Sequence, residues 1–305
     1  MKETPAITTK GLTKTYGSHT VVNRLDLNVT AGTVHGLLGP NGSGKSTTMK
    51  MLLGLVHPSN GQINVLGQSL EPRTRTQILS SVGSLIEQPS AYLHLTGAEN
   101  MAITARLMGT KERNIEWAVK TVRLENQMDK LVKNYSLGMK QRLGLAMALV
   151  RDPDVLILDE PTNGLDPAGI EEIRDLIVQL AEEQGRTVLV SSHLLSEIEK
   201  MATELTILNR GQLLFQGTQE ELFHTQLPDV FIETPSPQAA ADLLRSFNPR
   251  TVRNGIELAG LENDTVSGAC VHLVNHGIPF FQVVRKRRSL EEVFIGLTGQ
   301  EATIA

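Results

Sequence analysis

Short apolar runs alternate with segments of helical period along most of the first two thirds of the chain. Val34-His35-Gly36-Leu37-Leu38 and Val155-Leu156-Ile157-Leu158 are rich in branched residues and too short for helices. Both therefore read as buried parallel strands, with Thr187 to Val190 as a third. Between the last two, Ile173, Leu176, Ile177 and Leu180 recur at i, i+3, i+4 and i+7, bracketed by Pro167 and Gly185, which predicts an amphipathic crossover helix. Alternation of this kind predicts βαβ units and an α/β fold. From about Thr96 to Leu124 there is no β-rich run, and the pattern predicts two helices broken near Gly109-Thr110. This reads as a helical subdomain inserted between strands.

The pattern changes where Pro228, Pro235, Pro237 and Pro249 cluster, so a domain boundary is expected just before them, dividing the chain into residues 1–224 and 225–305. The remainder reads as strand (Val230 to Glu233), helix (Pro237 to Phe247), strand (Thr251 to Leu258), helix (about Asn263 to Asn275) and strand (Phe280 to Arg285). A last helix opens at Ser289, whose spacing to Glu292 fits a capping box. The expected second domain is a small α+β unit.

Composition narrows the classes. At 305 residues, with 40% hydrophobic and 20% charged positions, the chain is an ordinary globular protein, and its net charge of −4 argues against a general affinity for nucleic acid. The single cysteine, Cys270, has no internal partner, and no charged-then-apolar leader opens the chain, so a reducing, cytoplasmic compartment is expected. No stretch approaches the roughly 18 to 20 apolar residues that span a bilayer. Any crossing would fall to a partner. Arg285-Lys286-Arg287-Arg288 reads as a solvated strand edge, and His19, His35, His57, His94, His224, His272 and His276 show no metal-ligand spacing.

The chemistry is concentrated after two of the strands. Gly39-Pro40-Asn41-Gly42-Ser43-Gly44-Lys45-Ser46 fits G-x-x-x-x-G-K-[ST] between the strand ending at Leu38 and a helical run from Thr47 to Leu55. Glycines there let backbone N–H groups turn toward a polyphosphate, the helix adds its positive end, Lys45 supplies a point charge, and Ser46 offers a hydroxyl to Mg²⁺. The strand Val155 to Leu158 then delivers Asp159, expected to hold the metal, and Glu160, expected to orient and deprotonate an attacking water. These residues predict a nucleotide hydrolase.

Tyr135-Ser136-Leu137-Gly138-Met139-Lys140-Gln141-Arg142, a short way before Asp159, resembles the signature of ATP-binding cassette (ABC) ATPases. The order of motifs is similar to that family from residue 4 to about 218, including Tyr16, Gly164-Leu165-Asp166 and Ser191-Ser192-His193. The resemblance implies a P-loop NTPase cassette, a RecA-like core with a helical subdomain over about 88–150. It implies ATP and Mg²⁺ as ligands: Tyr16 stacks on adenine, residues Gly39 to Thr47 surround the phosphates, and His193 contacts the γ-phosphate. Asp166 belongs to a loop coupling two active sites, and Ser136 and Gly138 complete the site of a second copy. A separate membrane permease would be the other partner, placing the chain at the inner face of the membrane.

Two motifs depart from the family. Leu137 and Met139 stand where a second glycine and a glutamine are usual, and Glu87 stands where glutamine is usual, with Gln88 one step later. A carboxylate at 87 would ligate Mg²⁺ yet also face the γ-phosphate, and which effect wins is open. The alternative is a one-residue shift that leaves Gln88 in the usual role. Glutamate here is similar to the ATPase subunits of bacitracin-resistance and lantibiotic-immunity exporters, so efflux of an antimicrobial peptide is the leading expectation. The competing one is a soluble ABC ATPase acting on DNA or ribosomes. Lys45 and Ser136 are too close in sequence for the long coiled coil of the first kind, and one G-K-[ST] argues against the second.

Overall fold

The structure is a computed structural model that describes residues 5–87, 89–224, 227–286 and 288–299. It divides into two compact units, residues 5–218 and 219–299. The division falls slightly before the proline cluster, so the helix Gln219–His224 goes with the second unit.

The first unit opens with β1 (Pro5–Tyr16), β2 (His19–Leu25) and β3 (Asn28–Thr30), followed by β4 (Val34–Leu38) and α1 (Lys45–Leu52). Then come β5 (Asn60–Val65), β6 (Gln68–Ser69), α2 (Arg75–Leu79) and β7 (Val82–Leu85). Helices α3 (Gly97–Met108), α4 (Glu112–Thr121) and α5 (Leu137–Leu149) precede β8 (Val155–Asp159), α6 (Pro167–Glu182), β9 (Thr187–Ser191), α7 (Leu195–Met201), β10 (Glu204–Asn209) and β11 (Gln212–Thr218). One sheet has the order β11-β10-β4-β9-β8-β7, in which β10, β4, β9, β8 and β7 run parallel and β11 closes the edge antiparallel. Every residue of β4, β8 and β9 is buried, as continuous apolar strands require when helices cover both faces.

The crossover helix α6 buries Ile173, Leu176, Ile177 and Leu180, the stripe expected from their spacing. The expected break near Gly109 separates α3 from α4. Helix α1 differs from its expected span: it starts at Lys45 and stops at Leu52, because Gly54 takes the left-handed conformation (φ 63°) that ends helices. A second, antiparallel sheet, β2-β1-β5-β6 with β3 paired to β1, has no counterpart in the sequence reading. Its strand β1 is threonine-rich and irregular in register, so no clean two-residue alternation marks it.

The second unit comprises α8 (Gln219–His224), β12 (Asp229–Glu233), α9 (Pro237–Leu243), β13 (Arg250–Val252), β14 (Gly255–Leu258), α10 (Asn263–Asn275), β15 (Gln282–Lys286) and α11 (Leu290–Thr298). Its antiparallel sheet, β13-β14-β12-β15, with two intervening helices is a split βαβ arrangement. Val230, Ile232, Ile256 and Leu258 pack against Ala240, Leu244, Ala269 and Leu273. The strand expected over Thr251 to Leu258 is instead a hairpin, because the chain turns at Arg253-Asn254 and Val252 pairs with Gly255. The helix expected to reach Phe247 ends at Leu243, and a 3-10 turn covers Arg245–Phe247. Ser289 and Glu292 form the expected capping box. In the basic run, Lys286 pairs with Glu257 (2.7 Å) and Arg288 with Asp229 (2.9 Å), while Arg287 lies outside the described residues.

A polar cluster ties β3 to the central sheet. His35 is fully buried, with Nε2 2.8 Å from Thr206 Oγ1 and Nδ1 3.2 Å from Glu204 Oε2, and Thr30 Oγ1 donates to Glu204 Oε1 at 2.6 Å. Burial by itself pushes the Glu204 carboxyl up, but the hydrogen bonds from His35 and Thr30 together outweigh it and hold its pKa below the ordinary value. A depressed carboxylate contributes stability above its unfolded pKa, about 4.3, and loses it as pH falls through the lower folded value. Glu204→Gln is therefore expected to flatten the acid limb of the stability curve below about pH 4.3, measured as denaturation midpoints across a pH series.

Candidate functional site

The loop between β4 and α1 is built by its neighbours. Ser43 N–H donates to Pro40 O (3.1 Å), Gly211 N–H donates to Ser43 O (3.0 Å), and Asn23 N–H donates to Gly211 O (2.8 Å), so β2 and the β10–β11 turn brace it. A side chain at Gly39 would strike the Ser43 hydroxyl and the Leu208 carbonyl. Gly44 caps α1 at φ 103°, and a Cβ there would come within 2.8 Å of Val21 O. Only glycine meets both demands.

This shape leaves the first N–H groups of α1 without intrahelical acceptors, at the positive end of the helix. Lys45 is only 8% exposed and folds back to donate from Nζ to Gly39 O (2.7 Å) and Pro40 O (3.3 Å). Burial pushes its ammonium pKa down, and the charges of Glu160 and Asp159 offset part of that. Ser43 Oγ is buried without a hydrogen-bond partner among the described residues. Asn41, Gly42 and Ser46 are exposed, and Pro40 and Thr47 are half-buried. Orphan donors, a cramped glycine cradle and a buried ammonium fit a polyphosphate.

The parallel register brings the carboxylates to the same edge. Asp159 is paired with Ser191, and Ser191 with Leu37 of the strand that leads into the loop. Ser191 Oγ donates to Asp159 Oδ1 at 2.6 Å and accepts the Glu160 N–H at 3.0 Å. Glu160 takes a left-handed backbone (φ 52°), which costs about 1–2 kcal/mol for a residue with a Cβ. Its carboxylate Oε2 lies 2.5 Å from His193 Nδ1. Ser191 was visible in sequence only as part of a motif beside His193. The adjacency of β8 and β9 gives it a task.

Glu87 leaves the sheet just past β7, whose Leu85 pairs with Leu158, so it emerges at the same end of the sheet as Asp159. It too is left-handed (φ 64°), and its Oε1 accepts from Lys50 Nζ of α1 at 2.6 Å. This bond holds the Glu87 carboxyl below and the Lys50 ammonium above their ordinary values. Gln88 lies outside the described residues. Tyr16, at the end of β1, is 50% exposed, with Lys14 Nζ 4.7 Å from its ring centre.

The remaining sequence candidates gather elsewhere on the first unit. Ser136 caps α5 by accepting from Met139 N–H (3.2 Å), and Asp166 caps α6 by accepting from Gly169 N–H (3.2 Å). The departure at Leu137 has a visible place: its side chain lies over Gly164, 2.9 Å from where a Cβ would be, and Leu165 lies beside Gly138. Ser136, Leu137, Gly164 and Asp166 are all exposed. Among the described residues, no hydrogen bond or ion pair joins Ser136 or Gly138 to the phosphate-loop residues of the same chain.

The family profile described as ABC transporter matches residues 22–163. The bacitracin transport ATP-binding protein BcrA of Enterococcus faecalis is 38% identical over 297 residues, covering 96% of both chains. The lantibiotic transport ATP-binding protein SrtF of Streptococcus pyogenes is 42% identical over 224 residues, 72% of this chain and 96% of that protein. A solved dimeric post-hydrolysis ATP-binding cassette bound to ADP and Pi superposes with a TM-score of 0.63 at 25% identity, covering 70% of this chain and 98% of that one.

Ser191→Ala removes the one hydroxyl that joins Asp159 to the Glu160 backbone. The maximal ATP hydrolysis rate is expected to fall by about ten- to a hundredfold, as for other supports of a reacting group, while nucleotide affinity changes little. Steady-state hydrolysis together with equilibrium nucleotide binding checks this.

Proposed function

The chain belongs to the ATP-binding proteins of ABC transporters, and from that membership we propose that it powers export of an antimicrobial peptide of the bacitracin or lantibiotic kind. The observation that carries the catalytic part is the chain of contacts His193–Glu160–Ser191–Asp159 at the mouth of the phosphate loop. The cargo class rests on the 38% and 42% identical relatives and on Glu87.

Binding comes first. The glycine-lined loop and the start of α1 take the phosphates, Lys45 exchanges its loop carbonyls for β- and γ-phosphate oxygens, and Tyr16 offers its exposed ring to adenine. Mg²⁺, when bound, would neutralise phosphate charge, held by the Ser46 hydroxyl and the Asp159 carboxylate, with Glu87 within the same edge of the sheet. Glu160 accepts a proton from the attacking water, and His193, already against its carboxylate, holds the side chain in place and reaches the γ-phosphate. Ser191 keeps Asp159 and the Glu160 backbone in register.

The pocket is completed by a second copy. Ser136, Leu137, Gly138 and Asp166 stand at or near the surface at helix starts, ready to face the phosphates of the opposite chain. Two copies would thus enclose two ATP molecules and reopen after hydrolysis. Coupling to the permease falls to the helical insertion, about Thr96 to Leu124, with the loop at Glu87; Leu107 is 82% exposed at the end of α3, and Tyr92 and Leu93, between that loop and α3, are half-exposed.

Two outcomes test this reading. Glu160→Gln is expected to bind ATP, hydrolyse it at least about a hundredfold more slowly, accumulate as a nucleotide-dependent dimer in size-exclusion chromatography, and confer no tolerance to bacitracin or lantibiotic when expressed with its permease. Leu107→Asp is expected to leave ATP binding intact while abolishing peptide tolerance in cells and the stimulation of hydrolysis by permease; parallel loss of binding and transport would count against it.

A further inference from the structure

Glu87 follows β7, which pairs with β8, so it leaves the sheet at the same end as Asp159 and Glu160, where an anionic nucleotide is to bind. Of the two ammonium groups of α1, Lys45 feels the charges of Asp159 and Glu160, and Lys50 those of Glu87 and Asp159. Lys45 is engaged by the loop carbonyls. Lys50, about 7.5 Å further along the same helix axis, donates to Glu87 at 2.6 Å, and Asp159 is close enough to act on it through space. Its side chain is 32% exposed, against 70% for Glu87. The Glu87 backbone is left-handed, which a residue with a Cβ adopts only where surrounding structure holds it.

We infer that Lys50 is the positioning residue that makes a carboxylate at position 87 compatible with ATP, binding Glu87 to α1 and cancelling its repulsion of the terminal phosphate. This rests on the ATP-binding reading given above. The competing account is an ordinary surface ion pair, which contributes little to anything. The two differ in which ligand feels the change. A counter-ion to Glu87 acts on the γ-phosphate, so it distinguishes ATP from ADP. A purely structural pair does not.

The test uses the full chain with Lys50→Met, Glu87→Gln, the double variant and the conservative Lys50→Arg, each first confirmed as folded by thermal denaturation. Affinities for ATP and ADP are measured by competition with a fluorescent nucleotide in the presence of a chelator, so that no divalent ion contributes. Lys50→Met is expected to weaken ATP about two- to fivefold, ADP distinctly less, with the difference shrinking as salt rises. Lys50→Arg retains wild-type affinity, Glu87→Gln tightens ATP, and the double variant returns to wild type or better. Equal loss for ATP and ADP, loss that persists in the double variant, or no change with Lys50→Met would overturn the inference. Should the unaltered chain itself fail to bind ATP, the underlying functional reading fails instead.

Discussion

Asp159 and Ser191 stand opposite each other on adjacent parallel strands, and this pairing governs the geometry of the whole site. Parallel strands end together, so whatever follows β4, β8 and β9 is delivered to one edge of the sheet. The phosphate loop, the two carboxylates and the serine-histidine turn are far apart in sequence and are neighbours only because of that ladder. Slipping one strand by a residue would turn Asp159 toward the opposite face and leave the Ser191 hydroxyl without its two partners.

Charge imposes the second constraint. Lys45 is buried, which lowers its tendency to stay protonated, and the carboxylates at the edge work in the other direction. The loop carbonyls of Gly39 and Pro40 accept from its ammonium. Their hold is geometrically tight because the glycines admit no alternative side chain. Glu160 and Glu87, both strained into left-handed backbone, mark the two ends of the same acidic edge. Strain in such residues persists where function or neighbouring structure requires it.

The departures from the family pattern acquire physical meaning in three dimensions. Leu137 replaces a glycine, yet its side chain lies over Gly164, so the signature turn and the loop leading to Asp166 touch within one chain. Movement of either would be felt by the other. Glu87 brings a carboxylate next to the glutamine at position 88, and Lys50 pairs with its charge. The second unit, by contrast, packs a βαββαβ core, and among its described residues no cluster of metal-ligating side chains occurs.

Much of this was legible in the residues. The buried strands Val34 to Leu38 and Val155 to Leu158, the amphipathic stripe of α6 and the Ser289 capping box follow from local period and capping chemistry, which act over a few residues. The phosphate loop was equally plain, because its glycines answer to steric demands within one turn. The antiparallel sheet around β1 was not, since bulges and threonines erase the alternation that marks a half-buried strand. Nor was the hairpin at Arg253-Asn254, where the chain reverses within a stretch read as one strand although Asn254-Gly255 carried a turn signal. The tasks of Ser191 and Lys50 were decided only by tertiary structure. Each is a single polar side chain whose partner comes from another strand or loop more than thirty positions away, and such pairings are set by sheet order rather than by neighbours along the chain.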